Sequence, residues 1–271
     1  MHGALLIDTT MVQTTHRIDQ LFQQKKDKIL SVYYTAGFPQ LDDTVRIAEY
    51  LQQADADLIE IGMPYSDPLA DGPTIQNSSQ QALDNGMSIK VLLQQLQGIR
   101  EKVDIPLILM GYLNPVIQYG VEKFCEQCQQ IGIDALIIPD LPMQAYLDEY
   151  KKLFESYGLY NIFLITPQTS EDRIRLIDEH SHGFIYMVSS ASVTGAKGNI
   201  TEQQITYFNR IQAMHLRHPQ LIGFGISNHQ TFTQACQYAQ GAIIGSAFIK
   251  VLVASQNLQS DISSFISSIR N

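Results

Sequence analysis

Residues 58–62, with the sequence LIEIG, form a short apolar run that is interrupted only by Glu60. The run is too short to be a free-standing helix, and a segment with helical periodicity follows it. This pairing of a short apolar run with a helical segment recurs along the chain about eight times. Runs that are apolar throughout are typical of parallel strands covered by helices, so the pattern indicates repeated βα units.

The pattern predicts eight strands and an α/β fold. The predicted strands are Leu30–Thr35, Leu58–Gly62, Pro106–Tyr112, Ala135–Asp140, Asn161–Thr166, Gly183–Ser189, Leu221–Gly225 and Ala242–Gly245. Eight units in 271 residues, without a Ser/Gly-rich or charged linker, favour one closed (β/α)8 barrel, the TIM barrel, over a doubly wound sheet.

An amphipathic helix is predicted over Arg17–Gln24, before the first strand, where it could plug the lower end of the barrel. We expect residues 1–16 to form a leader that need not be ordered, and residues 17–271 to form one catalytic barrel domain. The only apolar run in the leader is Ala4–Ile7, and no Lys or Arg precedes it, so we expect no secretory signal and a cytoplasmic protein.

The charge balance argues against some partners. The chain has 18 Lys and Arg against 27 Asp and Glu, a formal net charge of −9. Such a chain on average repels nucleic acids and anionic lipid surfaces, so we expect neither as a partner. A small phosphorylated substrate remains compatible, because backbone N–H groups at a helix N-terminus can bind phosphate.

Cysteines and histidines give no metal site. Cys125 and Cys128 form a C-x-x-C within a predicted helix over Val121–Ile131, with no second pair to complete a zinc site, so we interpret them as core or half-buried thiols rather than as a redox pair. His229 follows the seventh strand without ligand partners. The remaining histidines near helix ends are interpreted as surface residues: His180, His182, His215 and His218.

Glu60 is the first candidate for chemistry. Side chains alternate along a strand, so Glu60 faces opposite to Ile59 and Ile61 and points into the barrel near its upper end. Burial there should raise its pKa toward neutrality, as a general acid or base requires. The alternative is a structural pairing with a buried Arg, but no Arg or Lys lies in any predicted strand.

Two connections are longer than the others, those after the second and sixth strands, and such loops form the active face of a barrel. In the first, Asp71 is close enough to Glu60 in sequence to present a second carboxylate over the same cavity, whereas Asp67 is interpreted as a turn residue. In the second, residues 189–198 are rich in Ser and Gly, and Thr194 belongs either to a closing lid or to a plain surface loop.

Glycine-rich ends of the last two strands indicate a phosphate site. Gly223–Ser227 (GFGIS) and Gly245-Ser246 each precede a helical segment, where barrels frequently bind phosphate. All ten lysines lie in predicted helices or loops, which disfavours a Schiff-base mechanism.

Residues 60–76, EIGMPYSDPLADGPTIQ, resemble the signature of the tryptophan synthase alpha subunit family. The resemblance extends from Arg17 to the C-terminus. It also rests on Thr35–Pro39 (TAGFP), Gly111–Pro115 (GYLNP), Pro139–Pro142 (PDLP), Val193–Gly195 (VTG) and Gly223–Ser227.

The resemblance implies cleavage of indole-3-glycerol phosphate to indole and glyceraldehyde 3-phosphate without a metal or organic cofactor. It places the acid–base carboxylate on Glu60, a second carboxylate for the indole nitrogen on Asp71, and a lid threonine on Thr194. It assigns phosphate binding to Gly195, Gly225, Gly245 and Ser246, and the indole pocket to Tyr112, Tyr186 and Phe224.

The resemblance also implies a partner. A separate beta subunit carrying pyridoxal phosphate would dock on the loops around Asn114 and residues 140–142, giving an alpha2-beta2 tetramer. Two alternatives stay open: another phosphate-binding barrel, such as a sugar-phosphate isomerase or epimerase, and a non-catalytic subunit that only activates a partner.

Overall fold

The computed structural model describes residues 16–68, 71–189, 200–223 and 225–271. Among those residues, parallel strands form a single sheet, in the spatial order β5-β4-β3-β2-β1-β9-β8-β7-β6. The strands are β1 Ile29–Thr35, β2 Leu58–Gly62, β3 Leu107–Met110, β4 Ala135–Ile137, β5 Tyr160–Asn161, β6 Leu164–Ile165, β7 Ile185–Val188, β8 Gln220–Gly223 and β9 Gly241–Ile244.

Helices follow the strands, as the βα pattern predicts. They are α1 Arg17–Gln24, α2 Asp43–Gln53, α3 Pro73–Asp84, α4 Ile89–Gln95, α5 Leu113–Tyr119, α6 Val121–Ile131, α7 Met143–Ala145, α8 Lys151–Ser156, α9 Glu171–His180, α10 Glu202–Ala213, α11 His229–Ala235, α12 Ser246–Ala254 and α13 Leu258–Arg270. A 3-10 turn at Ile99–Glu101 precedes β3, and a π turn at Tyr146–Tyr150 joins α7 to α8. None of the helices in the described ranges is long and apolar enough to span a membrane.

The predicted fifth strand is two strands, which corrects the count of eight. β5 pairs with β4, and β6 pairs with β7. The amide of Ile162 donates to Leu136 O at 2.9 Å, whereas Phe163 O accepts from the amide of Tyr186 at 2.9 Å. The run therefore changes its hydrogen-bonding neighbour between these two residues, and the sheet closes into a barrel through one continuous stretch of chain.

Other predicted strands are slightly too long. Pro106–Tyr112 and Ala135–Asp140 shorten to β3 and β4, because the chain leaves the ladder for the loops at the upper end. The excess chain of the second unit consists mainly of α3, α4 and the 3-10 turn, and residues 63–72 separate the end of β2 from the start of α3.

Alternation along the strands separates an inner core from an outer one. Leu58 packs with the residues that fill the barrel, whereas Ile59 and Ile61 pack with the helices. Glu60 shares the parity of Leu58 and faces the interior, as predicted.

Helix α1 closes the lower end of the barrel and has the predicted bounds. Ile18 is fully buried and packs with the inner core, and a side chain at Gly183 would collide with it. The His16 ring caps the helix by accepting from the amide of Ile18 at 3.3 Å, and it stacks on Tyr160 with ring centroids 3.6 Å apart. These contacts make α1 part of the barrel rather than an appendage.

The cysteine prediction is confirmed, and one of the predicted surface histidines, His218, is paired with a buried carboxylate. Cys125 and Cys128 are buried in α6, and burial raises the pKa of both thiols, that of Cys125 to about 12, so their thiolate forms are disfavoured at neutral pH. The His218 side chain is 24% exposed and packs against Asp178, with 3.2 Å between His218 Nδ1 and Asp178 Oδ1. The carboxylate of Asp178 also accepts two backbone amides there, which draws the ring inward.

Candidate active site

Glu60 lies near the carboxyl end of β2 and is fully buried. Ser31 on β1 donates a hydrogen bond from its hydroxyl to Glu60 Oε1 at 2.7 Å. The other oxygen, Oε2, has no hydrogen-bond partner among the residues that the structure describes. Burial raises the pKa of Glu60 to about 7, and the hydrogen bond from Ser31 opposes part of that rise. The carboxyl group is therefore able to give and take a proton near neutral pH.

Asp71 presents the second carboxyl group at the upper face. Tyr112, directly before α5, donates from its hydroxyl to Asp71 Oδ2 at 3.0 Å. Burial raises the pKa of Asp71, while the Tyr112 hydrogen bond lowers it. A cavity at this end of the barrel is lined by Tyr33, Met63, Tyr65, Asp71, Met110 and Tyr112.

Two buried tyrosines cross the interior above Glu60. A Cβ at Gly62 would overlap the hydroxyl of Tyr33, and a Cβ at Gly223 would overlap that of Tyr186. The pKa of each phenol is raised, first by burial and then by neighbouring carboxylates, Asp71 before Glu60 for Tyr33 and Glu60 before Asp71 for Tyr186. The two carboxyl groups and the two phenols thus share one electrostatic environment.

Ser31 and Tyr33 are site residues that the sequence analysis missed. They lie on β1 with the parity that faces the interior, and Tyr33 stands opposite Glu60 in the register of β1 and β2. Alternation within β1 could have placed them on one face, but their closeness to Glu60 depends on that register.

Gly225, Gly245 and Ser246 lie at the carboxyl ends of β8 and β9, where the sequence predicts phosphate binding. Gly245 directly precedes the first residue of α12, Ser246, so no side chain projects from the residue before that helix. Gly225 has φ +80°, a backbone conformation that favours glycine. Thr194, Gly195 and Phe224 lie outside the described residues.

The remaining predicted positions are on the surface. Asp67 is exposed and accepts from the Ser66 hydroxyl at 2.5 Å, in keeping with a turn residue. Asn114 and Asp140 are also exposed, and Asp140 accepts from the amide of Leu113 at 2.9 Å. The loops proposed to meet a partner are therefore adjacent on the upper face.

The chain forms a closed (β/α)8 barrel, and a buried carboxyl group whose pKa is near neutrality lies toward the carboxyl ends of its strands. This is the organisation of a barrel enzyme. The family profile for tryptophan synthase alpha chain matches residues 19–270. The chain belongs to the tryptophan synthase alpha chain family.

Individual relatives agree with this assignment. The tryptophan synthase alpha chain of Flavobacterium johnsoniae is 61% identical over 255 residues, covering 94% of this chain and 100% of the relative. The crystal structure of the alpha chain from Legionella pneumophila subsp. pneumophila has a TM-score of 0.83 at 31% identity, covering 94% of this chain and 96% of that one. Mycobacterium tuberculosis tryptophan synthase gives a TM-score of 0.85 at 29% identity, covering 94% and 97%.

Proposed function

We propose that this chain is a lyase that cleaves indole-3-glycerol phosphate to indole and glyceraldehyde 3-phosphate, as the alpha subunit of tryptophan synthase in L-tryptophan biosynthesis. The observation that carries the proposal is the buried carboxyl group of Glu60, whose Oε2 has no partner among the described residues. Membership of the family supports the substrate.

The reaction needs one proton delivered and one removed. Glu60 in its protonated form gives its proton to C3 of the indole, which produces an electron-poor indolenine. The carboxylate then takes the proton of the hydroxyl on the glycerol carbon attached to C3. The electrons of the O–H bond form the aldehyde, the C3–C bond breaks, and its electron pair restores the indole ring. Glu60 ends protonated, so the cycle closes without an organic cofactor or a metal.

In this proposal, Asp71 interacts with the nitrogen of the indole ring. Its carboxylate accepts the indole N–H and stabilises the positive charge that develops on nitrogen when C3 is protonated. The hydroxyl of Tyr112, 3.0 Å from Asp71 Oδ2, holds that carboxylate in place and favours its charged form. Tyr112, Tyr186 and Phe224 line the pocket for the indole ring.

The phosphate binds at the carboxyl ends of β8 and β9 in this proposal. Gly225 and Gly245 allow close approach of the backbone, Ser246 adds a donor, and α12 directs its N-terminal amides to the anion. Gly195 completes the phosphate contacts, and Thr194 contacts Asp71 when the loop closes over bound substrate.

We further propose that the indole passes to a beta subunit that carries pyridoxal phosphate. The docking surface comprises the loops around Asn114 and residues 140–142, where Asn114, Asp140 and Pro142 are exposed. Two alpha and two beta subunits would form the complex, in the cytoplasm.

The test is to incubate the purified chain with indole-3-glycerol phosphate, with and without a beta subunit, and to measure indole release. We expect turnover in both conditions and a loss of at least about 10²-fold in Glu60→Gln. Glu179→Gln, a matched change of an exposed glutamate on α9, should behave as the wild type. Absence of indole in both conditions would refute the lyase assignment. Near-normal activity of Glu60→Gln would move the catalytic role to another residue.

A further inference from the structure

We propose that Ser31 is a positioning residue for Glu60: its hydroxyl keeps Oε1 as a hydrogen-bond acceptor, so that Oε2 is the oxygen that exchanges a proton with the substrate. This inference rests on the proposed lyase function and adds to it the residue that decides which carboxyl oxygen reacts.

The geometry of Ser31 and Glu60 supports different roles for the two carboxyl oxygens. Ser31 and Glu60 are both fully buried, and the 2.7 Å bond joins a side chain of β1 to one of β2. A hydroxyl that donates to Oε1 occupies the side of the carboxyl group that faces β1. Oε2 is buried too, and within the described part of the chain it has no hydrogen-bond partner. A buried polar atom without a partner is costly, and a substrate proton would supply the missing bond.

The described hydrogen bond to the Glu60 carboxyl group comes from one hydroxyl, that of Ser31. Ser31 is the side chain that the structure describes as bonded to the Glu60 carboxyl group, and it is the hydrogen-bonding influence on its pKa. The ionisable groups nearby are Tyr33 on β1, Tyr186 on β7 and Asp71 in the loop after β2. Asp71 in its charged form has no proton to donate, so it does not replace the stabilisation that the Ser31 hydroxyl gives to the carboxylate.

Removing the hydroxyl should therefore change two properties at once. The carboxylate loses its donor, so the pKa of Glu60 rises further above its usual range. The carboxyl group also loses its fixed orientation, so that either oxygen can turn away from the substrate, and misplacement of this kind lowers the rate.

The experiment compares the pH dependence of kcat/KM for indole-3-glycerol phosphate in the wild type and in Ser31→Ala. The pH profile of kcat/KM should show an inflection in the neutral range that reflects the titration of Glu60. We expect this limb of the profile to move to higher pH by about one unit, as loss of a hydrogen bond to a charged group predicts. We also expect kcat to fall about 10-fold at the pH optimum. Ser31→Cys, which keeps the size of the side chain but donates weakly, should shift the limb in the same direction and serves if the alanine variant does not fold.

A matched control removes a different buried serine hydroxyl. Ser181, which follows α9 at the lower end of the barrel, is 2% exposed. Ser181→Ala should keep the wild-type pH profile. An unshifted limb in active Ser31 variants overturns the role of Ser31 while leaving the lyase function intact. A wild-type chain that releases no indole refutes the proposed function itself, so the two failures are distinct.

Discussion

At the scale of single residues, the burial of Glu60 makes the stability of the fold depend on pH. Its pKa is about 7 in the folded barrel against 4.5 for an ordinary glutamate, so the folded state holds a proton that the unfolded state has released between these values. Stability therefore falls as pH rises from about 4.5 and levels off above about 7. Charging this buried group costs up to about 3 kcal/mol above neutral pH.

Glu60→Gln removes that cost. We expect the variant to be more stable than the wild type at pH 8, by up to about 3 kcal/mol, and nearly equal to it at pH 4.5. Urea unfolding at both pH values measures the difference. An equal gain at both pH values would show that the effect is not electrostatic.

How far the site could be predicted from sequence also differs residue by residue. Glu60 stands out because it is the one charged residue within an otherwise apolar run, and alternation gives its direction. Ser31 and Tyr33 give no such signal, since Ser and Tyr are ordinary strand residues. Their importance comes from the pairing of β1 with β2, and sequence periodicity within one strand carries no information about register.

At the scale of elements, one carboxylate fastens α1 to the barrel. Asp134, before β4, is almost fully buried and accepts from Arg17 of α1 at 3.0 Å, from the guanidinium of Arg100 and from the amide of Leu107 at 2.8 Å. Arg100 is itself mostly buried, so it depends on this carboxylate for its counter-charge. Arg17 is 43% exposed and can be hydrated instead.

Asp134→Ala should lower the free energy of unfolding by about 3–4 kcal/mol, because it leaves Arg100 as a buried charge without its partner. Arg17→Ala should cost less than about 1 kcal/mol, since it removes only a half-exposed ion pair. Urea unfolding of both variants checks the ranking. Equal losses would mean that attachment of α1, rather than the buried charge, determines the cost.

Elements with clear boundary signals were predicted well. The bounds of α1 and α6 match the structure, because apolar periodicity defines both and Gly132, with φ +87°, ends α6. The fifth strand was not predicted as two, because residues 162–165 are all apolar and nothing in them marks the change of neighbour from β4 to β7.

At the scale of the whole molecule, Arg270 at the end of α13 joins distant parts of the chain. Its guanidinium donates to Lys28 O at 2.8 Å, to Asp55 O at 2.7 Å and to Asp57 Oδ2 at 2.6 Å. Asp57 also accepts from Lys25 at 2.7 Å. These hydrogen bonds connect the last helix, α13, to the segment before β1 and to the segment before β2.

Arg270→Ala should lower the free energy of unfolding by about 2 kcal/mol, since three hydrogen bonds are lost, one of them to the largely buried carboxylate of Asp57. Arg175→Ala, at an exposed position on α9, should change it by less than about 0.5 kcal/mol. Thermal unfolding measures both. If Arg270→Ala unfolds at the same temperature as Arg175→Ala, the hydrogen bonds of Arg270 contribute nothing to overall stability.

The architecture itself was predictable because it depends on repetition. Eight βα units of apolar strands are enough to indicate a closed barrel, and the fold tolerates errors of one or two residues at each strand end. The joining of distant segments by Arg270 was not predictable, because the chain separates Arg270 from Asp57 by more than two hundred residues.

The two tyrosine–glycine pairs at the barrel mouth, Tyr33 with Gly62 and Tyr186 with Gly223, constrain how this cavity can diverge. Each phenol occupies the volume that a side chain on the neighbouring strand would need. A library of single substitutions would not contain the variants in which the tyrosine becomes smaller and the glycine opposite it becomes larger. Reshaping the cavity for a larger or smaller aromatic ligand therefore requires simultaneous changes at both members of a pair, and natural lineages should inherit them jointly.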